Sequence, residues 1–182
     1  MKATPSLMPE ILVIEPEIFH DERGFFFESF NQRKFDELIG RSICFVQDNH
    51  SKSNKGVLRG MHYQKIRPQA KLVRVLHGEI FDVAVDVREC SPSFGRWVGH
   101  RLSSVNLKQH WIPEGFAHGF LVMSDSAEVL YKATDYYFPE YEVSIRWDDP
   151  FIGINWPNAQ GVTMSSKDQK GRFLSDFLNQ GS

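Results

Sequence analysis

Apolar and polar residues alternate along the middle of the chain with the period of two that a β-strand imposes. In Glu79–Val87, positions 81, 83, 85 and 87 are all Phe or Val, whereas the other face carries Asp82 and Asp86. A tight turn at His77-Gly78 joins this strand to a preceding one, Lys71–Leu76. The alternation predicts a sheet that places one of its faces in the core.

Further runs rich in β-branched and aromatic residues are bounded by Gly, Pro or polar turns. They are Gly24–Phe30, Ile43–Gln47, Val57–Gln64, Trp97–Leu102, Ala117–Met123 and Glu128–Thr134. Helical periodicity is limited to Gln32–Ile39 and Lys170–Leu178. Many short strands broken by Gly and Pro predict an all-β fold, an antiparallel sandwich or jelly roll with a few short helices. Because there is no internal repeat, linker or low-complexity run, we expect one domain over residues 1–182.

Composition and charge narrow the possible functions. The chain of 182 residues can bury a substantial core and has 15 Phe and 4 Trp to fill it. Its formal net charge of −2 gives no electrostatic reason to expect a nucleic-acid partner. No run resembles a signal peptide or a membrane span. Since Cys44 and Cys90 stand alone without CxxC spacing, we expect reduced thiols and a cytoplasmic protein.

Two segments each set a histidine and a glycine inside an apolar, strand-like run. Arg59–Gln64 contains His62, and Ile112–Phe120 contains His118. Burying an imidazole without a partner is costly, so two such strands in one small domain indicate a cavity in which imidazoles take part in chemistry. The remaining histidines are expected to be ordinary surface or hydrogen-bonded residues: His20, His50, His77, His100 and His110.

Alternation along these strands indicates which side chains point into such a cavity. His118 shares its face with the apolar positions 120 and 122, and Tyr131 shares its face with positions 127 and 129. Strict alternation places Arg59 on the face opposite His62. Gly60 lies between them and permits a bulge that would re-aim one of the two side chains.

Several motifs occur together in a fixed order along the chain. They are DERGFFFE at 21–28, QDNHS at 47–51, RGMHYQ at 59–64, PQAKLV at 68–73, PEGFAHGF at 113–120, YK at 131–132 and SKD at 166–168. With these motifs the chain resembles the dTDP-4-dehydrorhamnose 3,5-epimerases, enzymes of deoxysugar nucleotide synthesis with a cupin fold. The resemblance extends over roughly residues 14–174.

The resemblance implies an isomerase that inverts C3 and C5 of dTDP-4-dehydro-6-deoxy-D-glucose. Epimerisation beside a ketone requires a base, an acid on the opposite face, and a positive partner for the enolate oxygen. By resemblance, His62 is the base, Asp168 orients its ring, Tyr131 is the acid and Lys71 faces the oxyanion. The substrate ketone already acidifies its neighbours, so neither a metal nor a redox cofactor is implied.

The nucleotide half of a dTDP-sugar calls for cations around the diphosphate and flat faces around the base. The resemblance assigns substrate binding to Phe19, Arg23, Phe26, Glu28, Gln47, Asp48, Asn49, Arg59, His118, Tyr137, Glu142 and Lys167. In the family an N-terminal strand crosses to a second subunit. The resemblance therefore implies a homodimer with strand exchange, in which Phe19 or Arg23 can serve the neighbouring site.

Three other functions stay open at this point. A single-position epimerase of another dTDP-4-keto-deoxysugar would use the same residues and differ in how the sugar ring turns. A metal-dependent cupin usually carries an H-x-H pair and a nearby carboxylate, but Gln64 stands two residues past His62 and no carboxylate follows until Glu79. We therefore expect no metal. A sugar-nucleotide binding protein would need the arginines and aromatic residues but not the catalytic set.

Overall fold

The computed structural model describes residues 1–178, which fold as an all-β protein of facing antiparallel sheets. The strands of this part of the chain are β1 Lys2–Pro5, β2 Leu12–Glu15, β3 Phe19–Asp21, β4 Gly24–Phe26, β5 Gln47–Asn54, β6 Leu58–Gln64, β7 Lys71–His77, β8 Glu79–Asp86, β9 Trp97–Ser103, β10 Gln109–Ile112, β11 Phe116–Val122, β12 Ser126–Ala133 and β13 Glu142–Ser144. Its helices are α1 Gln32–Ile39, α2 Ser166–Gln169 and α3 Ser175–Leu178, with a 3₁₀ turn at Pro139–Tyr141. The predicted fold class is confirmed.

The two large sheets have the orders β1-β2-β10-β7-β12-β5 and β13-β6-β11-β8-β9, and β3 pairs with β4 in a separate hairpin. From β5 to β8, consecutive strands alternate between the two sheets, as they do again from β9 to β12. This alternation is the connectivity of a jelly roll, and it brings residues distant in sequence to face one another across the interior. Within residues 1–178 no helix is long and apolar enough to cross a membrane.

Three apolar layers stabilise the sheets: one between them and one on each outer face. Ile80 and Ala84 of β8 belong to the layer between the sheets, whereas its Val83 and Val85 belong to the outer layer of the five-stranded sheet. The expectation that β8 buries a single face is therefore wrong. A C-terminal segment that includes Trp156 covers the outer face, so the strand is buried on both sides.

The polar strand β5 is not recognisable from its sequence, because QDNHSKSN contains no apolar residue. A strand was expected at Ile43–Gln47 instead, but residues 42–46 form no regular element and Ile43 packs in the same apolar layer as Phe35 of α1. The inner face of β5 meets a polar interior and its outer face meets solvent, so neither side carries the apolar period that marks a strand.

Helix α1 has the predicted bounds, whereas two other expected elements are shorter. Asn31 caps its first turn by accepting a hydrogen bond from the Lys34 N–H, and Gly40 ends it with a φ of 77°. The strand expected at 24–30 covers only Gly24–Phe26, and the helix expected at 170–178 begins at Ser175. The short strands β1, β2, β3 and β13 lie outside every predicted run, and β10 shares only Ile112 with one.

Candidate active site

A cavity of about 440 Å³ opens between the two sheets. Its polar lining consists of Ser51, Arg59, His62, Lys71, His118, Tyr131, Thr163, Ser165, Lys167 and Asp168. The structure thus brings together the four residues expected to be catalytic and three of those expected to bind substrate. These seven residues come from β6, β7, β11, β12 and α2, which the jelly-roll connectivity places around one space.

A β-bulge in β6 makes Arg59 and His62 neighbours on the same side of the sheet. The register places two residues of β6, Gly60 and Met61, opposite the single Gly119 of β11. Gly60 has a φ of 115°, and a Cβ at this position would lie 2.6 Å from the Cα of Gly119. No larger residue fits there, so the bulge depends on glycine at position 60. The bulge that Gly60 permits is thus present, and it overrides the strict alternation that would separate Arg59 from His62.

His62 is held by a buried carboxylate. Its Nε2 lies 2.6 Å from Oδ1 of Asp168, which is 4 % exposed. The backbone N–H of Asp168 donates to the Ser165 hydroxyl, which caps the short helix α2 and fixes the position of the carboxylate. Burial raises the pKa of Asp168, but the hydrogen bond and charge of His62 outweigh it and leave that pKa below its usual value. An ionised Asp168 requires a proton on Nε2 of His62, so in the neutral imidazole Nδ1 carries the lone pair.

On the Nδ1 side of His62, three further predicted site residues contact one another. Oε1 of Glu142 lies 3.8 Å from this nitrogen. The other carboxylate oxygen of Glu142 accepts hydrogen bonds from the Tyr137 hydroxyl, at 2.7 Å, and from the Lys167 ammonium. Lys167 also lies 5.9 Å from the centre of the Tyr137 ring. These contacts connect Tyr137 and Glu142, which do not line the cavity themselves, to two residues that do.

Lys71 and Tyr131 lie on the opposite wall, in the six-stranded sheet, with the Lys71 ammonium 5.7 Å from the centre of the Tyr131 ring. Burial lowers the pKa of Lys71 to about 8, against the opposing charge of Asp82. Burial also raises the pKa of Tyr131, partly offset by the charge of Arg59, so the phenol keeps its proton at neutral pH. This wall therefore offers a cation and a protonated acid side by side.

Asp82 is a functional candidate that the family motifs do not contain. Its carboxylate lies between two imidazoles, with Oδ1 2.7 Å from Nε2 of His118 and Oδ2 2.7 Å from Nδ1 of His110. Asp82 and His110 are 0 % exposed, and His118 is 5 % exposed. Burial raises the pKa of Asp82, but the charge of His118 and the two hydrogen bonds outweigh it and lower that pKa overall. The signal in the sequence was an aspartate in the middle of an apolar strand.

Known proteins similar to this chain are epimerases, in agreement with the base, acid and cation found in the cavity. Residues 5–176 match the family model described as dTDP-4-dehydrorhamnose 3,5-epimerase. The chain belongs to this family. An epimerase of that name from Salmonella typhimurium is 58% identical over 172 residues, which cover 94% of each chain.

Two solved members of the fold show what similar proteins bind. A dTDP-6-deoxy-D-glucose-3,5-epimerase from Legionella pneumophila, in complex with dTDP-4-keto-L-rhamnose, is 53% identical and has a TM-score of 0.93, covering 96% of this chain and 93% of that one. A 3'-monoepimerase from Streptomyces bikiniensis, in complex with dTDP-quinovose, is 32% identical and has a TM-score of 0.90, covering 96% and 90%.

In this epimerase-family chain, the motif at 47–51 divides between the two faces of β5. Gln47 and Asn49 share the inner face with Ser51, and the Gln47 amide donates to Asn49 at 2.9 Å. Asp48 points to the outer face and lies 3.0 Å from the Lys132 ammonium. Since neighbouring residues of a strand face opposite sides, the structure does not bring Asp48 into the cavity.

The β3–β4 hairpin holds most of the remaining residues to which the epimerase resemblance assigns substrate binding. Phe19 and Phe26 are 56 % and 68 % exposed, and the Arg23 side chain pairs with Asp21 at the surface. Glu28 accepts a hydrogen bond from the Asn31 amide at 2.8 Å. None of these side chains lines the cavity of its own chain. Within a single chain, these four residues therefore lie away from the residues that line the cavity.

Gln64, which stands where a metal-dependent cupin would carry a ligand, has a different role in this epimerase-family chain. Its amide donates to the backbone carbonyls of Arg67, at 2.8 Å, and Tyr136, at 3.2 Å, and accepts from the Phe138 N–H at 2.7 Å. Gln64 thus anchors two loops. In the described part of the chain, no group of three or more His, Cys, Asp and Glu residues could hold a metal ion.

Proposed function

We propose that this chain epimerises C3 and C5 of dTDP-4-dehydro-6-deoxy-D-glucose to give dTDP-4-dehydro-L-rhamnose, in dTDP-L-rhamnose and deoxysugar synthesis. The placement of His62 and Tyr131 on facing sheets, at two sides of one cavity, carries this proposal. Inverting a carbon requires a proton to leave from one face and another to arrive on the opposite face. A base and an acid on opposite walls meet that requirement without any movement of the protein.

His62 is the proposed base. Nδ1 takes the proton from the carbon beside the ketone, since Nε2 is occupied by Asp168 at 2.6 Å. The Asp168 carboxylate holds the ring in this tautomer and stabilises the imidazolium that forms. The Glu142 carboxylate, 3.8 Å from Nδ1, adds a second negative charge beside the imidazolium.

Lys71 and Tyr131 complete the proposed reaction. When the C–H bond breaks, its electron pair forms a double bond between that carbon and C4 of the sugar. Negative charge then develops on the C4 oxygen, and the Lys71 ammonium stabilises it. The Tyr131 phenol then donates its proton to the same carbon from the opposite face, and the C4 ketone re-forms. The phenolate regains a proton from solvent and the imidazolium loses one, so the balance of protons closes. A second round at the other carbon repeats these steps.

The charge of the cavity supports a nucleotide diphosphate as the remainder of the substrate. Arg59 and Lys167 line it beside Lys71, and within residues 1–178 Arg59 forms no ion pair with a carboxylate, whereas Lys167 pairs with Glu142. A cation without a paired carboxylate suits phosphate oxygens. The Legionella pneumophila relative was solved with a dTDP-sugar, which supports the same class of ligand here.

The decisive experiment is turnover of dTDP-4-dehydro-6-deoxy-D-glucose in heavy water, followed by proton NMR at C3 and C5. We expect deuterium at both carbons and conversion to the L-configured sugar. Deuterium at one carbon alone would identify a single-position epimerase, and ligand binding without exchange would identify a binding protein.

In the Tyr131→Phe variant, the rate at which the proton returns to carbon should fall about 10²–10⁴-fold, while exchange of the substrate proton with solvent persists. Full turnover by this variant would remove Tyr131 from the acid role.

We also propose that the protein is a cytoplasmic homodimer in which the β3–β4 hairpin of each subunit reaches the partner's cavity. Exposed Phe19, Phe25 and Phe26 form an apolar surface on this hairpin, and such surfaces often mark contacts between proteins. Mixing the two weakly active variants His62→Ala and Phe19→Ala/Arg23→Ala, with subunit exchange, should restore activity, because a mixed dimer contains one intact site. Failure to recover in a dimer that exchanges subunits would place the hairpin at its own chain's site.

A further inference from the structure

We propose that His110 is a positioning residue of the active site, which acts through Asp82 to fix the orientation and tautomer of His118. His118 lines the cavity and its ring centre lies 6.4 Å from that of Tyr131. His110 lies behind this wall and does not line the cavity. The carboxylate of Asp82 joins the two rings, at 2.7 Å from each.

The shared carboxylate determines which nitrogens carry protons. Asp82 is 0 % exposed, so its charge depends on the donors around it. Each imidazole must present an N–H to it, Nδ1–H from His110 and Nε2–H from His118. When neutral, His118 then has its lone pair on Nδ1, where it can accept a hydrogen bond from a sugar hydroxyl or from water. Removing the His110 donor would leave Asp82 with the hydrogen bond from His118 and would alter this arrangement.

The surroundings of His110 indicate that packing alone does not explain the residue. Its Nε2 is buried and has no hydrogen-bond partner within residues 1–178. Its ring meets the ring of His100 edge to face, with centres 5.0 Å apart, and His100 is hydrogen-bonded to the Ser6 hydroxyl. A buried polar atom without a partner is destabilising, a penalty that an apolar side chain of similar size would avoid. The bond to Asp82 is the contact that distinguishes histidine at this position.

The charged and titratable groups facing Asp82 come from four strands: His110 of β10, His118 of β11, Lys71 of β7 and His100 of β9. Burial lowers the pKa of His100 to about 4, so this ring is neutral near pH 7. Lys71 and the two donors therefore hold the Asp82 charge. Loss of the His110 donor should raise the pKa of Asp82, and activity should then fall at a higher pH when the solution is acidified.

A matched pair of amide variants separates positioning from packing. The side-chain nitrogen of asparagine can occupy the place of Nδ1 of histidine, whereas that of glutamine corresponds to Nε2. We expect His110→Asn to keep kcat near the wild-type value. We expect His110→Gln to lower kcat about tenfold, the loss typical of one hydrogen bond to a charged group, with a smaller change in KM. The acid limb of its kcat–pH profile should also move to higher pH. His77→Asn, at the exposed end of β7, is the control substitution.

The kinetic readout rests on the proposed function, so nitrogen-15 NMR of the imidazoles provides an independent one. In the wild-type protein His118 should be protonated at Nε2 and His110 at Nδ1, and His110→Gln should change the His118 signals. If kcat, the pH profile and the His118 signals of both folded variants match wild type while only their thermal midpoints fall, His110 is structural and the proposal is wrong. Equal losses in both variants without a pH shift would also overturn it. Absence of turnover by the wild type would instead refute the proposed function and leave the NMR test intact.

Discussion

Replacement of His62 by alanine is expected to lower turnover about 10²–10⁴-fold, the usual contribution of a positioned acid or base. Deuterium incorporation should fall at C3 and C5 together, because one imidazole serves both carbons. The Kd for dTDP should stay near the wild-type value, since the nucleotide would contact Arg59 and Lys167 rather than this ring. Heavy-water NMR measures the first effect, and calorimetric titration with dTDP measures the second.

Two observations would contradict the assignment of His62. Exchange that survives at either carbon would require a second base, and a loss of dTDP affinity equal to the loss of rate would make His62 a binding residue. His77→Ala is a suitable control, because His77 is exposed at the end of β7, away from the cavity. It should match wild type in both measurements.

The parts of the site that could be predicted from the sequence are those in which local pattern and motif agree. Alternation placed His118 and Tyr131 on interior faces, and Gly60 between two polar residues indicated the bulge; all three features are present. A period of two is a local property of the backbone and needs no knowledge of the remaining fold. The family motifs identified Lys71 and Asp168, which alternation does not reveal because their contacts form between segments distant in sequence.

The parts that could not be predicted depend on the polar interior itself. Strand β5 turns Gln47, Asn49 and Ser51 to its inner face, and of these Ser51 lines the cavity, so the strand lacks the apolar alternation that marks a strand. Asp82 has the sequence pattern of a solvent-facing residue, yet it is buried, because it shares the face of β8 on which Ile80 and Ala84 pack between the sheets. Hydrophobic patterning identifies the strands that pack in apolar layers. It fails at a functional cavity, because the residues that face the cavity are polar.

Replacement of Lys71 by methionine is expected to abolish most activity while making the protein more stable. Loss of the cation beside the enolate oxygen should cost about 10²–10³-fold in kcat, as for removal of one oxyanion donor. At pH 7 the folded state must hold a desolvated ammonium, whose pKa burial lowers to about 8. Removing it should raise the free energy of unfolding by about 0.5–2 kcal/mol and Tm by about 1–8 °C.

The pH dependence of the stability gain tests its cause. Because the pKa of Lys71 is about 8 in the folded state and about 10.4 when unfolded, the unfolded chain binds more protons between these values. Stability of the wild type relative to Lys71→Met should therefore rise as pH increases from 8 to 10, and the advantage of methionine should shrink. Wild-type activity should decline over the same range as the cation is lost.

A matched substitution on the surface separates this effect from a general loss of lysine. Lys52 pairs with Glu128 on the outer face of β5 and is largely exposed, so Lys52→Met should change stability by at most about 1 kcal/mol and leave turnover intact. If Lys71→Met unfolds at the same or a lower temperature than wild type at pH 7, the buried ammonium does not destabilise the folded state. If it also keeps its turnover, the enolate oxygen must lie elsewhere. A higher unfolding temperature together with lost turnover would show that Lys71 destabilises the fold but stabilises the negative charge that develops during the reaction.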